Sequence, residues 1–324
     1  MIDYSPINIK IWSRLGSCGA FGQAALALPK INDKVVMLTA DLCTFSGLDR
    51  FKSTYPEYLF NLGIAEQNML GVAAGFAKEG YIPFATTYAT FASMRSADQV
   101  KVNMGYMNLP IKLVGLTTGF SVGILGATHM SLEDISVIRS IPNVIILSPA
   151  DCTATIKATV SALHINAPVY LRLSGTMNNP IVYKEDFDFE IGKAITLQEG
   201  KDIAIIATGS MVYNSLKAAE ILQSKGIFAK VIDMHTIKPL DSEAIDACLN
   251  HKLIVSVEEH SVYGGLGSAI AENLSLKKCR PPHLIMGTKG EYPHAASYSY
   301  LLEHAGLSAE KIALKVETTY KEIC

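Results

Sequence analysis

The chain has 324 residues, of which 49% are hydrophobic and 18% are charged, and its formal net charge is -2. This length and apolar content predict two folded domains and exclude a disordered or low-complexity chain. Because the charge is nearly balanced and no cluster of lysine and arginine occurs, we expect no binding of nucleic acid and no attachment to anionic membranes.

Cysteine spacing and hydropathy predict the compartment. The six cysteines, at positions 18, 43, 152, 248, 279 and 324, lack C-x-x-C spacing. Such spacing is typical of free thiols in a reducing compartment and not of disulfides or a zinc site. No basic segment followed by an apolar one occurs at the N-terminus, and no apolar run could span a bilayer. We therefore expect a soluble cytoplasmic protein.

Short β-branched runs alternate with longer helical patterns along most of the chain. The runs that predict strands are 35–41, 110–117, 143–149, 168–174, 203–210, 229–236, 252–259 and 281–288, and the main helical patterns are 64–80, 91–105 and 213–226. Continuous apolar strands joined by crossover-length helices are typical of parallel sheets covered on both faces, so the predicted fold class is α/β.

A segment rich in Asn, Pro and acidic residues, 178–193, interrupts this alternation. It predicts an interdomain connector, with one domain over 1–185 and a second over 186–324. Ligands of parallel sheets bind beyond the carboxyl ends of the strands. We therefore expect functional residues just after the predicted strands.

Glu66 begins a predicted helix in the segment NLGIAEQN. An acidic residue in a first turn stabilises the helix dipole, which is the simplest interpretation. The following residues, GVAAG, predict a helix that packs closely, so Glu66 is also a candidate for a buried functional carboxyl. Both interpretations remain open at this point.

Aromatic residues and a histidine follow in the same domain. Tyr88, Phe91 and Met94 have the spacing i, i+3, i+6, which indicates either a core stripe or a pocket for a heteroaromatic ring. His129 follows a Gly-rich loop, where it is either a structural hydrogen-bonding group or a ligand contact. The segment GGLGS (264–268) predicts either an anion site at a helix N-terminus or a tight turn.

The sequence contains no phosphate-binding P-loop and no H-E-x-x-H. The residues by themselves therefore predict an α/β enzyme, or an enzyme subunit, with an aromatic pocket near Glu66.

Several long motifs together resemble the transketolase family. The segments 61–77, 81–100 and 121–151 resemble its pyrimidine-binding domain, and 231–241 and 257–274 resemble its C-terminal domain. The resemblance therefore implies two consecutive α/β domains and thiamine diphosphate as cofactor. By the same resemblance, Glu66 is the catalytic carboxyl that bonds N1′ of the cofactor's aminopyrimidine.

The resemblance also implies roles for neighbouring residues. Tyr88, Phe91 and Met94 match positions that clasp the aminopyrimidine, although the family usually has an aromatic residue where Met94 stands. Asp41 matches an acidic residue near the cofactor, where two subunits meet. His129 matches a catalytic histidine that contacts the hydroxyl groups of the donor substrate.

A complete transketolase has a preceding domain whose Gly-Asp-Gly motif holds Mg²⁺ and the diphosphate, and this sequence contains no Gly-Asp-Gly. The resemblance therefore implies the C-terminal subunit of a split transketolase, with no metal ligand of its own. We expect an N-terminal partner subunit that holds Mg²⁺, and a heterotetramer of two chains of each kind. The implied reaction transfers a two-carbon ketol unit from a ketose to an aldehyde.

Four positions depart from the phosphate-gripping and sugar-reading residues of ordinary transketolases. Phe45 replaces a Ser, Thr117 a His, Gly175 an Arg, and Leu125 an Asp. Arg172 is the residue that could replace part of the lost anion contact. These departures predict that the acceptor or donor is not a standard pentose or hexose phosphate. A sugar with its anionic group elsewhere, a nucleotide-linked sugar or a neutral keto compound would fit better.

Three alternatives remain. Deoxyxylulose phosphate synthase and the β subunits of 2-oxo acid dehydrogenases share the fold, but the segments MHTIKPLD and ATHMSLEDI favour transketolase. A non-catalytic structural half is the third alternative, and the presence of both Glu66 and His129 argues against it.

Overall fold

The computed structural model describes residues 2–323 and contains two β-sheets. The strands are β1 (Val35–Thr39), β2 (Leu59–Asn61), β3 (Ile82–Tyr88), β4 (Lys112–Leu116), β5 (Ile145–Leu147), β6 (Val169–Arg172), β7 (Ile195–Gln198), β8 (Ile203–Ala207), β9 (Ala229–Asp233), β10 (Thr236–Lys238), β11 (Leu253–Ser261) and β12 (His283–Thr288). The strand orders are β10-β5-β6-β4-β3-β1-β2 and β12-β11-β8-β9-β7.

Helices cover both sheets. They are α1 (Pro6–Ala27), α2 (Asp49–Thr54), α3 (Glu66–Lys78), α4 (Ala97–Gln99), α5 (Asp134–Arg139), α6 (Cys152–His164), α7 (Met211–Ser224), α8 (Ser242–Asp246), α9 (Leu266–Leu274), α10 (Tyr298–His304) and α11 (Ala309–Ile323). Short 3₁₀ turns cover Leu28–Lys30, Pro56–Tyr58 and Gly123–Leu125, and π-helical turns cover Phe91–Arg95 and Val100–Tyr106.

Both sheets are mainly parallel, which confirms the predicted α/β fold class. The residues of β1, β4 and β8 are buried throughout, as expected for strands covered by helices on both faces. The antiparallel pairs occur at sheet edges, where β10 pairs with β5 and β7 pairs with β9. The predicted boundary near residue 185 falls in the segment between β6 and β7.

Several local predictions differ from the structure. The strands β2, β3 and β7 were not predicted, because β2 and β7 are only three and four residues long, and Pro83 and two threonines interrupt the apolar pattern of β3. The run 229–236 does not form one strand, since β9 ends at Asp233 and β10 joins the other sheet. The predicted helix over 91–105 consists of the short α4 between two π-helical turns.

A buried polar network joins the two domains beside β6. Arg172 Nε donates to Asp134 Oδ2 at 2.8 Å, and Arg172 Nη2 donates to the backbone carbonyl of Glu259 at 2.9 Å. The hydroxyl group of Tyr170 donates to the same oxygen of Asp134. Because Asp134 lies on α5 and Glu259 on β11, this network links both sheets.

The cysteines among the described residues are free thiols, as predicted, and Cys324 lies outside the described residues. Within residues 2–323, no helix combines the length and the hydrophobicity that crossing a membrane requires.

Candidate active site

Three neighbouring strands, β1, β3 and β4, end at one edge of the seven-stranded sheet. Asp41 lies just after β1, Tyr88 is the last residue of β3, and Thr117 follows β4. Asp41 and Thr117 both have positive φ angles, of 61° and 51°. Such angles are uncommon for residues other than glycine, and for β-branched Thr117 the angle is an outlier typical of functional edges.

Glu66 is the first residue of α3, and its side chain is only 4% exposed. The free N–H groups of a helix start favour an anionic side chain there. Oε1 of Glu66 accepts a hydrogen bond from Nη1 of Arg95 at 2.9 Å. Glu66 is therefore a buried carboxyl paired with an arginine that the sequence analysis did not select.

Arg95 reaches Glu66 from the first π-helical turn. Its guanidinium lies 4.0 Å from the centroid of the Phe91 ring, and its side chain is 46% exposed. The backbone of this turn is widened, since Ser96 N donates to Phe91 O at 3.2 Å, and a π-helical turn is frequent at functional sites. A planar cation thus covers one aromatic face and one buried carboxylate together.

Met94 is more exposed than its predicted neighbour in the stripe. It is 52% exposed, whereas Tyr88 is 9% exposed. The i, i+3, i+6 spacing of Tyr88, Phe91 and Met94, which indicates either a core stripe or a ring pocket, is not a helical one, because Tyr88 ends a strand and Phe91 begins a π-helical turn. Arg95 covers the ring of Phe91 in this structure.

His129 meets both aromatic residues. Its ring centroid lies 5.8 Å from that of Tyr88 and 5.3 Å from that of Phe91, both in edge-to-face geometry. Its Nδ1 lies 3.0 Å from the hydroxyl oxygen of Thr128. The sequence-predicted residues Tyr88, Phe91 and His129 thus form one aromatic cluster.

The loop that carries His129 is held by the second domain. Gly119 N donates to Ser131 O at 2.9 Å and closes the loop, while Phe120 N donates to Oε1 of Glu259. Burial raises the pKa of Glu259, partly opposed by hydrogen bonds that include the one from Ser210. Glu259 was not recognisable from the sequence, because nothing in VEEH shows that its partner lies across the domain interface.

Asp41 lies apart from the aromatic cluster. Its side chain is exposed, and Oδ1 accepts a hydrogen bond from Asn61 Nδ2 at 3.1 Å. Asn61 Oδ1 in turn accepts from the backbone N–H groups of Asp41 and Gly63. Asn61 therefore fixes the turn after β1 and the approach to α3, a role that the sequence pattern did not indicate.

The four positions that depart from ordinary transketolases are apolar or lack a charge, which makes this chain's part of the entrance to the candidate active site apolar. Phe45 is 62% exposed, with its ring centroid 6.2 Å from that of Tyr88, and Leu125 is 48% exposed. The hydroxyl group of Thr117 is buried and has no partner among the described residues. Gly175 has a φ of 85°, and a Cβ there would lie 2.7 Å from Asn179. These positions offer no cation to an anionic substrate.

The prediction that Arg172 provides an anion contact does not fit its position. Its side chain is 1% exposed, and its guanidinium is engaged by Asp134 and Glu259 inside the protein. A solvent anion could reach it only by breaking a buried ion pair. Arg172 is therefore a structural residue.

The segment 264–268 is likewise structural. The backbone N–H groups of Leu266 and Gly267, at the start of α9, donate to the carboxylate of Glu258 at 2.7 and 2.8 Å. An anionic side chain of the protein already occupies this helix N-terminus, so the tight-turn interpretation is the one that holds.

Sequence profiles of two domains match almost the entire chain. They are "Transketolase, pyrimidine binding domain" over residues 17–179 and "Transketolase, C-terminal domain" over residues 192–312. The chain belongs to the transketolase family. This result confirms the resemblance on which the site residues were assigned.

The most similar proteins include transketolase subunits of comparable length. The chain is 40% identical over 284 residues to the 6-deoxy-6-sulfo-D-fructose transketolase subunit SqwH of Clostridium sp. (strain MSTE9), covering 87% of each chain. It is 38% identical over 295 residues to a subunit of the apulose-4-phosphate transketolase of Phocaeicola vulgatus, over 90% of this chain and 94% of that one.

A solved structure described as "Split gene transketolase, inactive beta4 tetramer" has the same fold. It matches with a TM-score of 0.86 and 36% identity, and the match covers 96% of this chain and 99% of that chain.

Membership of the transketolase family implies thiamine diphosphate, and the geometry at Glu66 fits its aminopyrimidine. The guanidinium of Arg95 is flat, lies on Phe91 and donates an N–H to Glu66. A flat heteroaromatic ring requires the same two contacts. The space that the guanidinium of Arg95 fills beside Glu66 and Phe91 therefore has the flat shape and the hydrogen-bond acceptor that such a ring needs.

Within residues 2–323, no group of three or more His, Cys, Asp or Glu side chains is arranged to hold a metal ion.

Proposed function

We propose that this chain is the C-terminal subunit of a split transketolase that transfers a two-carbon ketol unit from a ketose to an aldehyde. The bound thiamine diphosphate supplies the carbanion chemistry of the reaction. An N-terminal partner subunit holds Mg²⁺ and the diphosphate, and two chains of each kind form the active cytoplasmic enzyme. The single observation that supports this proposal most strongly is that one flat group, the guanidinium of Arg95, contacts both the buried carboxyl of Glu66 and the face of Phe91.

The residues of this chain have separate tasks in the proposed reaction. Glu66 exchanges a proton with N1′ of the aminopyrimidine, and its burial excludes water from that bond. Phe91 and Tyr88 hold the ring, with Met94 and Asp41 at the margin of the cofactor site. His129 contacts the hydroxyl groups of the donor sugar from the loop beside the same rings.

A partner is supported by two observations. The chain contains neither a Gly-Asp-Gly motif nor, within residues 2–323, a cluster of metal-ligating side chains. The similar solved structure is described as an inactive β4 tetramer. We propose that the isolated chain likewise has no turnover, because the diphosphate is the most strongly charged part of the cofactor and lacks a site here.

Mixing experiments test this proposal. The purified chain, a Gly-Asp-Gly protein encoded beside it, Mg²⁺ and thiamine diphosphate should give ketol transfer, whereas the chain alone should give none. Micromolar, Mg²⁺-dependent binding of thiamine diphosphate to the isolated chain by titration calorimetry would refute the partner requirement. Full activity of a one-to-one heterodimer, sized by mass photometry, would refute the tetramer.

We further propose a sugar substrate other than a standard pentose or hexose phosphate. The apolar entrance formed by Phe45 and Leu125 supports this class, as do the sulfosugar and apulose phosphate in the names of the two relatives. Loss of charge-assisted contacts to a phosphate lowers affinity by roughly 10²-fold or more. Ordinary kcat/KM with xylulose 5-phosphate and ribose 5-phosphate would contradict this proposal.

A non-catalytic structural half is the candidate function of another class. It predicts that the assembled enzyme tolerates Glu66→Ala, whereas the proposed function predicts loss of turnover with the assembly intact. The burial of the Glu66 carboxyl, and its link through Arg95 to the face of Phe91, favour the catalytic function.

A further inference from the structure

Arg95 occupies two positions that the proposed function assigns to the cofactor. Its Nη1 bonds Oε1 of Glu66 at 2.9 Å, and its guanidinium lies 4.0 Å from the centroid of Phe91. The aminopyrimidine needs the same carboxylate as a hydrogen-bond acceptor and the same space against the ring that the guanidinium fills. Two flat groups cannot share this space, so the arginine and the cofactor exclude each other.

We propose that Arg95 is a positioning residue that holds Glu66 and Phe91 in the cofactor-free enzyme and releases both when thiamine diphosphate binds. The inference rests on the proposed function, since it concerns the same cofactor site. It assigns to Arg95 an effect on the free enzyme and no contact with the bound aminopyrimidine.

The surroundings of Arg95 allow this release. Its side chain is 46% exposed while that of Glu66 is 4% exposed, so the cation returns to water without crossing protein. Among the described residues, no second hydrogen-bond acceptor holds the guanidinium. The backbone stays in place, because the carbonyl oxygen of Arg95 accepts a hydrogen bond from Gln67 Nε2 at 3.1 Å.

The burial of Glu66 explains why the cofactor-free enzyme needs the contact between Arg95 and Glu66. Without a cation, the carboxylate of Glu66 would lie buried with its charge uncompensated, which destabilises a folded protein. Arg95 compensates this charge until the cofactor arrives. The cofactor then binds only the fraction of molecules in which Arg95 has moved away, so its apparent affinity is reduced by that fraction.

This competition predicts an unusual result. Arg95→Met in the complex of this chain with its partner subunit removes a positive charge, yet it should bind the anionic cofactor about three- to tenfold more tightly. Arg95→Lys keeps the positive charge but loses the planar guanidinium. Its affinity for thiamine diphosphate should therefore lie between those of Arg95→Met and wild type. Lys78→Met, at the other end of α3, removes the same charge far from Glu66 and is the matched control.

Stopped-flow measurement of thiamine diphosphate binding in the presence of Mg²⁺ tests the prediction without measuring turnover. Because Arg95 acts only in the free enzyme, the gain should lie in the association rate constant, with the dissociation rate constant unchanged. Side-chain rotation is much faster than association, so the rate should stay linear in cofactor concentration. Lys78→Met should bind no more tightly than wild type.

Other outcomes overturn the inference. Equal or weaker binding by Arg95→Met, or a gain confined to the dissociation rate constant, would place Arg95 in contact with the bound cofactor or outside the site altogether. If the wild-type complex binds no thiamine diphosphate at all, the proposed function fails and the inference fails with it.

A second measurement uses the isolated chain and needs neither partner nor cofactor. A double-mutant cycle combines Arg95→Met and Glu66→Gln. The effect of the double variant on the unfolding equilibrium constant should differ by about two- to tenfold from the product of the two single effects. Independent effects would show that the pair does not form in solution and would refute the inference.

Discussion

Two arginine–carboxylate pairs of nearly equal length lie in different surroundings. The N–O distance is 2.8 Å between Arg172 and Asp134 and 2.9 Å between Arg95 and Glu66. The side chains of the first pair are 1% and 0% exposed, whereas Arg95 is 46% exposed beside a buried carboxylate. An ion pair can separate when its cation can move into solvent. The buried Arg172–Asp134 pair therefore fixes the domain interface, whereas the Arg95–Glu66 pair can separate and leave the Glu66 carboxylate free to bind the cofactor.

The energetics of the two pairs differ accordingly. Breaking a fully buried pair by removing one partner leaves an uncompensated charge and costs about 3–5 kcal/mol. A pair with an exposed member is screened by water and is worth about 0–1 kcal/mol. Changing the carboxylates one at a time should therefore separate a catalytic effect from a structural one.

Glu66→Gln should have the largest effect, on turnover. The amide fits the same space but cannot exchange a proton with N1′, and such acid–base contributions are about 10²- to 10⁴-fold in rate. The assembled enzyme should show this loss in ketol transfer and in deuterium exchange at C2 of the cofactor, while the isolated chain stays folded and loses only the small stabilisation of its pair with Arg95. Glu79→Gln, at the opposite end of α3, is the control and should leave both unchanged.

Asp134→Asn should have the next largest effect, on stability. Burial raises the pKa of Asp134, but the charges of Arg172 and His260 and the hydrogen bonds from Arg172 and Tyr170 outweigh it and hold the pKa below its usual value. The variant leaves Arg172 buried without its counter-charge, so the free energy of unfolding should fall by about 3–5 kcal/mol in urea denaturation.

The matched control for that measurement is Asp188→Asn, because Asp188 is exposed. It should leave the urea midpoint unchanged. A similar midpoint for Asp134→Asn and wild type would mean that the buried pair contributes nothing to the domain interface.

Asp233 supplies a third case, a buried carboxyl without an arginine. Burial raises its pKa to about 8, the hydrogen bond from Tyr183 partly opposes this, and the charge of Asp151 adds to it. Because the folded pKa exceeds the unfolded value, its contribution is complete below about pH 4 and is lost as pH rises towards 8. The stability of wild type relative to Asp233→Asn should therefore fall by up to about 1.4 kcal/mol per pH unit in this window.

Chemical denaturation of both proteins at several pH values between 5 and 9 measures that difference. Taking the difference cancels the other titrating groups that the two proteins share. Parallel pH profiles would show that Asp233 does not titrate in this range.

The smallest effect is expected at an exposed pair on the second domain. Lys193 Nζ lies 2.8 Å from Glu243 Oε2, with side chains 51% and 82% exposed. Hydrogen bonding and attraction by Glu243 raise the pKa of Lys193, but water screens the charges. Lys193→Ala should leave the Tm unchanged within error, and a clear loss would mean that exposure is a poor guide to the strength of these pairs.

Much of the fold follows from local sequence, and the differences have physical causes. Strands such as β1 and β8 are continuous apolar runs, so burial on both faces makes them recognisable. The short β10 owes its place to pairing with β5 across the domain interface, which no local pattern encodes.

The candidate site divides in the same way. Glu66 was recognisable as the first residue of a helix, and Tyr88, Phe91 and His129 are brought together because strand ends meet at one sheet edge. The contact of Arg95 could not be predicted, because a long side chain on a π-helical turn reaches its partners only through the tertiary fold. The burial of Arg172 has the same explanation, since Asp134 and Glu259 lie on other elements.

The edge strand β10 also affects how the first domain folds during synthesis on the ribosome. During synthesis, residues 1–185 leave the ribosome first, but β5 then lacks its neighbour until Thr236–Lys238 have emerged. The carbonyl group that anchors Arg172 belongs to Glu259 and arrives later still. A nascent chain stopped near residue 185 should therefore present an open strand edge and a buried arginine with one acceptor missing. The first domain cannot complete these contacts before residue 259, about halfway through the second domain, has been translated, and the intervening time is when unpaired edges promote aggregation.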